Sequence, residues 1–141
     1  MNLSIIPYLA FRGNCREAVQ RYIDIFGGEI LYLSKWDAGN CEDPAWRGKV
    51  MHVEFTLGNT RMGGGDPREG ASASDMVKLM VHFEDRKSAE EKVRLLADGG
   101  EVLSPLQPHP KPDDGGMGAL ICDAYGYTWI ITAPNDEKPE A

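Results

Sequence analysis

The feature that most constrains the fold of this chain is an internal repeat with a period of about half its length. The segment Gly27–Leu31 (GGEIL) recurs 72 residues later as Gly99–Leu103 (GGEVL). At the same offset, the apolar run Ser4–Phe11 (SIIPYLAF) falls on Met76–Phe83 (MVKLMVHF). Because twice this period nearly equals the 141 residues of the chain, the sequence predicts a duplicated half-domain and not a long repeat array.

Each half predicts one amphipathic helix between its apolar run and its Gly-Gly pair. Small and apolar residues recur there with the i, i+4, i+7, i+8 spacing of one buried helical face. They are Ala18, Tyr22, Ile25 and Phe26 in the first half, and Ala89, Val93, Leu96 and Ala97 in the second. The Gly-Gly pair then ends the helix, because glycine tolerates the left-handed conformation that helix C-termini adopt.

The remainder of each half predicts three strands. Apolar and polar residues alternate along Val50–Leu57 (VMHVEFTL), which is typical of a strand with one buried face. The predicted strands span about 29–36, 49–57 and 60–65 in the first half, and about 101–105, 117–123 and 127–133 in the second. With the opening apolar run, each half is a βαβββ unit, and the chain is predicted to be an α+β protein.

We expect a single domain over residues 1–141. Its parts are repeats at about 1–66 and 75–134 and an acidic C-terminal tail at 135–141. Two long segments rich in Pro, Gly and Asp, at 37–48 and 106–116, are predicted loops. Loops of this length in compact domains are often functional.

Composition excludes several classes of partner. The formal net charge of −7, with no cluster of Lys and Arg, disfavours nucleic acid. No apolar run approaches the roughly 20 residues needed to cross a membrane. Met1–Ser4 lacks the basic start of a signal peptide, which predicts a cytoplasmic location.

Cys15, Cys41 and Cys122 are far apart and form no CxxC pair, so neither a zinc site nor a disulfide framework is indicated.

Several segments together resemble one superfamily. They are Pro7–Ala18 (PYLAFRGNCREA), Tyr22 with Phe26–Gly28, His52–Asn59 (HVEFTLGN) and Asp123–Ile131 (DAYGYTWII). In order and spacing they are similar to the glyoxalase/bleomycin-resistance/dioxygenase group, the vicinal oxygen chelate superfamily, and within it to the PhnB-like branch. The resemblance implies that the two units pair into a curved mixed eight-stranded sheet around a small-molecule cavity, and that the protein is a homodimer.

The resemblance also implies four positions for His or Glu ligands of a divalent metal ion. Counted from the helices and hairpins, these positions fall on Pro7, Met62, Leu79 and Ile130. None of these side chains offers the donors that a catalytic divalent ion requires, and their sequence neighbours include no His or carboxylate. We therefore predict no metal and no other cofactor, and an apolar ligand-binding cavity lined by Leu9, Met62, Leu79 and Ile130.

The histidines are the remaining candidates for chemistry. His52 and Glu54 share the polar face of one predicted strand, where they could act as a catalytic acid/base pair or simply form a solvated face or a dimer contact. His82 is predicted to be a surface or interface residue. His109, between two prolines, is predicted to be an exposed loop residue, with a position over the cavity mouth as the alternative.

The leading hypothesis for function is a small-molecule-binding protein of the glyoxalase/bleomycin-resistance type that lacks the superfamily metal site. The alternative is an enzyme of the lyase, isomerase or dioxygenase type that uses a displaced site with His52 and Glu54. A third hypothesis is a domain for protein interaction. The label of ubiquinone-type methyltransferase, attached to this branch, gains no support from the sequence, because a Rossmann-like methyltransferase needs alternating βα units and a Gly-rich turn.

Overall fold

The computed structural model describes residues 2–136, and the chain divides into two compact units. Unit 1 comprises Met1–Ser72 and unit 2 comprises Ala73–Ala141. From residue 137 onward, the predicted acidic tail lies outside the described residues. Within residues 2–136, no helix has both the length and the apolar character needed to cross a membrane.

Unit 1 is one helix and a four-stranded mixed sheet. Its elements are β1 (Tyr8–Ala10), α1 (Cys15–Phe26), β2 (Ile30–Lys35), a short 3-10 turn (Pro44–Trp46), β3 (Val50–Leu57) and β4 (Thr60–Gly65). The strand order is β1-β4-β3-β2, in which β1 runs parallel to β4 and the other neighbours are antiparallel.

Unit 2 repeats this arrangement. Its elements are β5 (Leu79–His82), α2 (Arg86–Ala97), β6 (Glu101–Pro108), β7 (Gly116–Cys122) and β8 (Thr128–Pro134). The strand order is β5-β8-β7-β6, again with the first strand parallel to the last. The predicted α+β class, with two βαβββ units, is confirmed.

The apolar face of each helix packs on the sheet of its own unit. In α1, the predicted residues Ala18, Tyr22 and Ile25 are buried, and the helix packs against β3, where Val53 and Phe55 are fully buried. In α2, Ala89 and Leu96 are the buried residues. Burial of these faces supplies the main driving force for helix formation, because isolated helices of this length are marginal in water.

The repeated Gly-Gly pair has two structural roles. Gly27 and Gly99 follow the helices with φ of +82° and +79°, a conformation that other residues rarely adopt. Gly28 passes so close to the hairpin that an added Cβ would overlap the carbonyl oxygen of Thr56, and Gly100 stands in the same relation to Cys122. The second glycine therefore allows the chain to cross the end of a strand before the next strand begins.

Proline affects the length of two strands, β1 and β6. β1 is confined to Tyr8–Ala10, because Pro7 lacks the N–H group that would extend the ladder toward the N-terminus. β6 continues to Pro108 through Pro105, beyond the predicted end at about residue 105. Proline is tolerated there because β6 is an edge strand, where an N–H can be missing without loss of a ladder hydrogen bond.

Candidate functional site

The unit 1 sheet has one buried face and one open face. Leu9 and Val53 both pair with Gly64 in neighbouring strands, and both are buried. Met62 precedes Gly64 by two residues, so it lies on the same face, and it is also buried. Successive side chains alternate between the two faces. The opposite side, called here the open face, carries Tyr8, Tyr32, His52, Glu54 and Arg61.

The four side chains predicted to line a cavity do not share one surface within either unit. Leu9 and Met62 lie in the core between the unit 1 sheet and α1. In unit 2, Leu79 pairs with the buried Trp129 and faces the core, whereas Ile130 lies on the other side of the sheet. A shift of one residue in an alignment moves a side chain to the other face of its strand, and the predicted positions were obtained by counting along the sequence. Their role in ligand binding stays a prediction.

Three side chains on the open face form an aromatic cluster, defined as Tyr8, His52 and Tyr32. The rings of Tyr8 and His52 stack, with centroids 6.1 Å apart and planes 15° apart. The ring of Tyr32 approaches His52 from β2, with a centroid distance of 6.2 Å and an interplanar angle of 46°. Both tyrosines are about half exposed, at 53% and 52%. The cluster thus presents ring surface to solvent.

Glycines of β4 make room for the Tyr8 ring. A Cβ added at Gly63 would lie 3.2 Å from Tyr8 Cδ2, and one added at Gly65 would lie 2.6 Å from the Tyr8 hydroxyl oxygen. The ring therefore lies across β4 and reaches His52 on the next strand. Burial, followed by the nearby Cys15 and Asp66, raises the pKa of Tyr8, so its hydroxyl stays protonated.

The predicted acid/base pair lies on the open face, as expected from its position on β3. His52 and Glu54 are two residues apart on that strand and are both half-buried. The Glu54 carboxylate accepts a hydrogen bond from Arg61 Nη2 at 2.5 Å, and this ion pair involves a residue that sequence reasoning missed. Register explains the pairing, because Arg61 on β4 lies opposite Thr56 and diagonal to Glu54. The catalytic assignment stays a prediction.

The donor set does not fit a metal ion of the superfamily type. Over residues 2–136, no three His, Cys, Asp or Glu side chains converge as metal ligands. The ligand positions carry hydrocarbon or thioether side chains, which suit a hard or borderline divalent ion poorly. Tyr8 is the nearest oxygen donor in sequence to Pro7, and its raised pKa disfavours the phenolate form.

The two remaining histidines lie on the side of the unit 2 sheet that also carries Ile130. His82 is exposed, and its Nδ1 lies 2.8 Å from Thr132 Oγ1. His109 is half-buried, and its imidazole covers β7 at Gly116 and Gly118, where an added Cβ would meet the ring. The alternating glycines of β7 were the sequence signal for this contact.

Asp66 is a buried residue that sequence reasoning did not single out. Its Oδ1 accepts hydrogen bonds from the N–H groups of Gly13 and Cys15 at 2.8 and 3.1 Å, and its Oδ2 accepts one from Val50 at 3.0 Å. Its carbonyl oxygen accepts from Trp36 Nε1. A carboxylate at the end of β4 thus holds the start of α1 and the start of β3. The segment Gly63–Pro67 comprises the end of β4 and the residues that lead into the following turn.

One protein family and several solved structures are similar to this chain. A family model described as 3-demethylubiquinone-9 3-methyltransferase matches residues 3–132. A Bacillus cereus structure, a putative 3-demethylubiquinone-9 3-methyltransferase and PhnB protein, is 26% identical, with a TM-score of 0.80 over 93% of this chain and 99% of its own. Protein PA1353 from Pseudomonas aeruginosa is 27% identical, with a TM-score of 0.77 over 94% of this chain and 98% of its own.

A more distant structure shares the fold alone. The fosfomycin resistance protein FosX from Listeria monocytogenes is 12% identical, with a TM-score of 0.68 over 97% of this chain and 98% of its own. No curated protein matches the sequence. The chain belongs to the family described as 3-demethylubiquinone-9 3-methyltransferase, a PhnB-like family with the glyoxalase/bleomycin-resistance fold of the vicinal oxygen chelate superfamily.

Proposed function

We propose that this protein binds a small planar organic molecule on the open face of unit 1, without a metal ion at the superfamily positions. The observation that carries the proposal is the aromatic cluster, in which two half-exposed tyrosine rings flank His52. Aromatic rings stack on one another in offset or tilted geometry and gain free energy beyond the burial of area. A flat ligand can stack against the exposed ring surface.

The surroundings of the cluster suit recognition of an organic ligand. Gly63 and Gly65 leave the middle of the open face free of side chains other than the Tyr8 ring that crosses it. Arg61 and Glu54 place a charged pair next to the rings. Ligand sites commonly combine apolar and aromatic surface with a few polar groups that fix orientation.

The test is a titration of the whole chain with a library of planar heteroaromatic compounds, followed by saturation-transfer NMR. We expect Tyr8→Ala and Tyr32→Ala each to lower the affinity for the compounds that bind by between about twofold and tenfold, the range for an aromatic pair. Val102→Ala is the control, because Val102 is also about half exposed but belongs to unit 2. Equal losses in the control and in the tyrosine variants, or no hits for the wild type, would contradict the proposal.

The proposed absence of the superfamily metal has its own measurement. Elemental analysis of protein purified without added metal is expected to find no stoichiometric Ni, Zn, Mn or Fe. Tight binding of one such ion per chain would contradict this part of the proposal.

The alternative function, a lyase, isomerase or dioxygenase reaction at His52 and Glu54, stays a prediction. Glu54 is held by Arg61, and His52 lies between two tyrosine rings. This arrangement supports ring stacking more directly than it supports proton transfer between the two residues. Retention of any detected turnover by His52→Ala would eliminate this version of an enzyme.

Methyl transfer, named in the family's description, has less support. Each unit is a mixed sheet with one helix, in which the first strand is parallel to the last. Rossmann-like methyltransferases use a parallel sheet with alternating helices and a Gly-rich turn at the cofactor. Measurement of S-adenosylmethionine binding by calorimetry is expected to give no saturable signal.

A further inference from the structure

A second candidate site lies in unit 1, where α1 and β3 begin. An open cleft of about 610 Å³ is found there. The lining residues that matter for its chemistry are Gly13, Arg16, Glu17, Arg47, Lys49 and Asp66. We propose that this cleft, called here the basic cleft, binds the phosphate group of a small phosphate monoester through Arg16, Arg47 and Lys49.

The charge of the basic cleft opposes that of the chain. The chain has a formal net charge of −7, yet three cationic side chains from two separate segments line this one cavity. Arg16 lies in the first turn of α1, Arg47 follows the short 3-10 turn, and Lys49 precedes β3. A local excess of one sign inside a concave surface concentrates ions of the opposite sign.

Two of these cations have no protein partner. Within residues 2–136, the guanidinium group of neither Arg16 nor Arg47 makes a hydrogen bond or an ion pair with another residue. Elsewhere in the described chain, Arg61 pairs with Glu54 and Arg86 pairs with Glu90. The two guanidinium groups of the cleft are therefore available for a ligand, and guanidinium binds phosphate oxygens in bidentate fashion.

The third cation is held in place by the fold. Lys49 is half-buried, and its Nζ donates to the Gly13 carbonyl oxygen at 3.2 Å. A side chain at position 13 would crowd this ammonium, since an added Cβ would lie 2.8 Å from Nζ. An ammonium group has three N–H donors, so Lys49 keeps donors for a ligand after this contact.

Three cationic and two acidic side chains line the basic cleft, which leaves it a formal charge of +1. Asp66 already accepts hydrogen bonds from Gly13, Cys15 and Val50, which occupy both of its oxygens. The first N–H group of α1, that of Cys15, is thereby used. Glu17 is the other acidic residue of the lining, and it opposes anion binding.

A phosphate monoester fits these features better than a carboxylate. Its two negative charges match several converging cations, whereas a carboxylate offers one charge and two oxygens. The volume lies within the range of small-molecule sites, so an organic group attached to the phosphate can be accommodated. This ligand is distinct from the planar molecule proposed for the open face.

The experiment is calorimetry of the whole chain at low ionic strength with inorganic phosphate, phenyl phosphate and benzoate as probes. We expect saturable binding of the two phosphates and weaker binding of benzoate. The double variant Arg16→Ala/Arg47→Ala is expected to lower the affinity for phenyl phosphate by at least about tenfold, because charge-assisted hydrogen bonds are lost. Glu17→Gln is expected to raise this affinity by about twofold.

The matched control is Lys87→Ala/Arg94→Ala, which removes the same charge from exposed positions on α2. It is expected to leave phosphate binding within about twofold of the wild type. A similar loss in both double variants would show that net charge alone attracts phosphate and would overturn the proposal. Absence of saturable phosphate binding by the wild type, or benzoate binding at least as tight as phenyl phosphate, would also overturn it.

Discussion

Single residues in unit 1 connect segments that are far apart in the chain, and Asp66 is the clearest case. Its buried carboxylate bonds to backbone N–H groups at Gly13, Cys15 and Val50. Burial, and to a smaller extent the negative charge of Asp66, raises the pKa of the Cys15 thiol to about 12. Cys15 is therefore protonated at neutral pH, which agrees with a structural thiol and not a nucleophile.

Asp66→Asn is expected to lower the free energy of unfolding by about 2 kcal/mol, because an amide NH₂ group would face one of the three N–H donors. Urea denaturation at neutral pH measures the change. Asp24→Asn is the control, since Asp24 is exposed and its carboxylate accepts a hydrogen bond from Gln20 on the same helix. An equal effect of the two substitutions would contradict the assigned role of Asp66.

The helices of the two units begin and end with similar structural features. The Gly-Gly pair follows each helix, and its second glycine lies against the backbone of a neighbouring strand. At the start of α2, the Asp85 side chain accepts hydrogen bonds from Ser88 N and Ser88 Oγ at 2.7 and 2.9 Å. At the start of α1, Asp66 takes the corresponding role from a distant strand.

Gly28→Ala is expected to cost about 3 kcal/mol of stability, because its Cβ would overlap the Thr56 carbonyl oxygen and force the backbone to move. Gly27→Ala is the comparison. Gly27 has φ +82° and ψ 144° but open space around it, so only the conformational cost of about 1–3 kcal/mol applies. Chemical denaturation of the two variants measures the difference, and a larger loss for Gly27→Ala would contradict the close-approach explanation.

Asp85→Ala is expected to destabilise the chain in a pH-dependent way. Hydrogen bonds from Ser88 lower the pKa of Asp85 in the folded state. A lowered pKa contributes stability above the unfolded-state pKa of about 3.9, and this contribution is lost as the pH falls through the folded-state pKa.

The difference in unfolding free energy between wild type and Asp85→Ala is therefore expected to shrink between neutral and strongly acidic pH. Urea denaturation at several pH values measures it, with Glu91→Ala as an exposed acidic control on the same helix. If the difference in unfolding free energy stays constant down to strongly acidic pH, the hydrogen bonds from Ser88 to the Asp85 carboxylate do not contribute the expected stability.

At the scale of the whole molecule, large apolar side chains are exposed in both units. They include Leu3 and Leu31 in unit 1 and Met76 and Met80 in unit 2. Exposed apolar side chains in quantity indicate contact with another surface. This supports the proposed homodimer, which the superfamily resemblance also implies.

We expect sedimentation velocity across the micromolar range to show a species with twice the mass of the chain. Burial of the exposed apolar side chains supplies the driving force. A single species with the mass of one chain throughout that range would contradict the proposed homodimer.

The fold was predictable because its signals are local or repeat along the chain. Helical spacing in Ala18, Tyr22 and Ile25 and alternation along Val50–Leu57 follow from burial of one face, which every helix or strand at a surface must satisfy. The role of the predicted site residues stays a prediction. His52 and Glu54 do share an open face, but Leu9 and Met62 lie in the core, since a count along a strand cannot fix which face a residue takes.

The sequence by itself therefore determined two βαβββ units and the glycines that end their helices. Tertiary structure alone decided which residues meet. Tyr8 reaches His52 across the glycines of β4, and Arg16, Arg47 and Lys49 line one cleft. These groups come from distant segments, and only strand register and packing, which depend on contacts between those segments, bring them together.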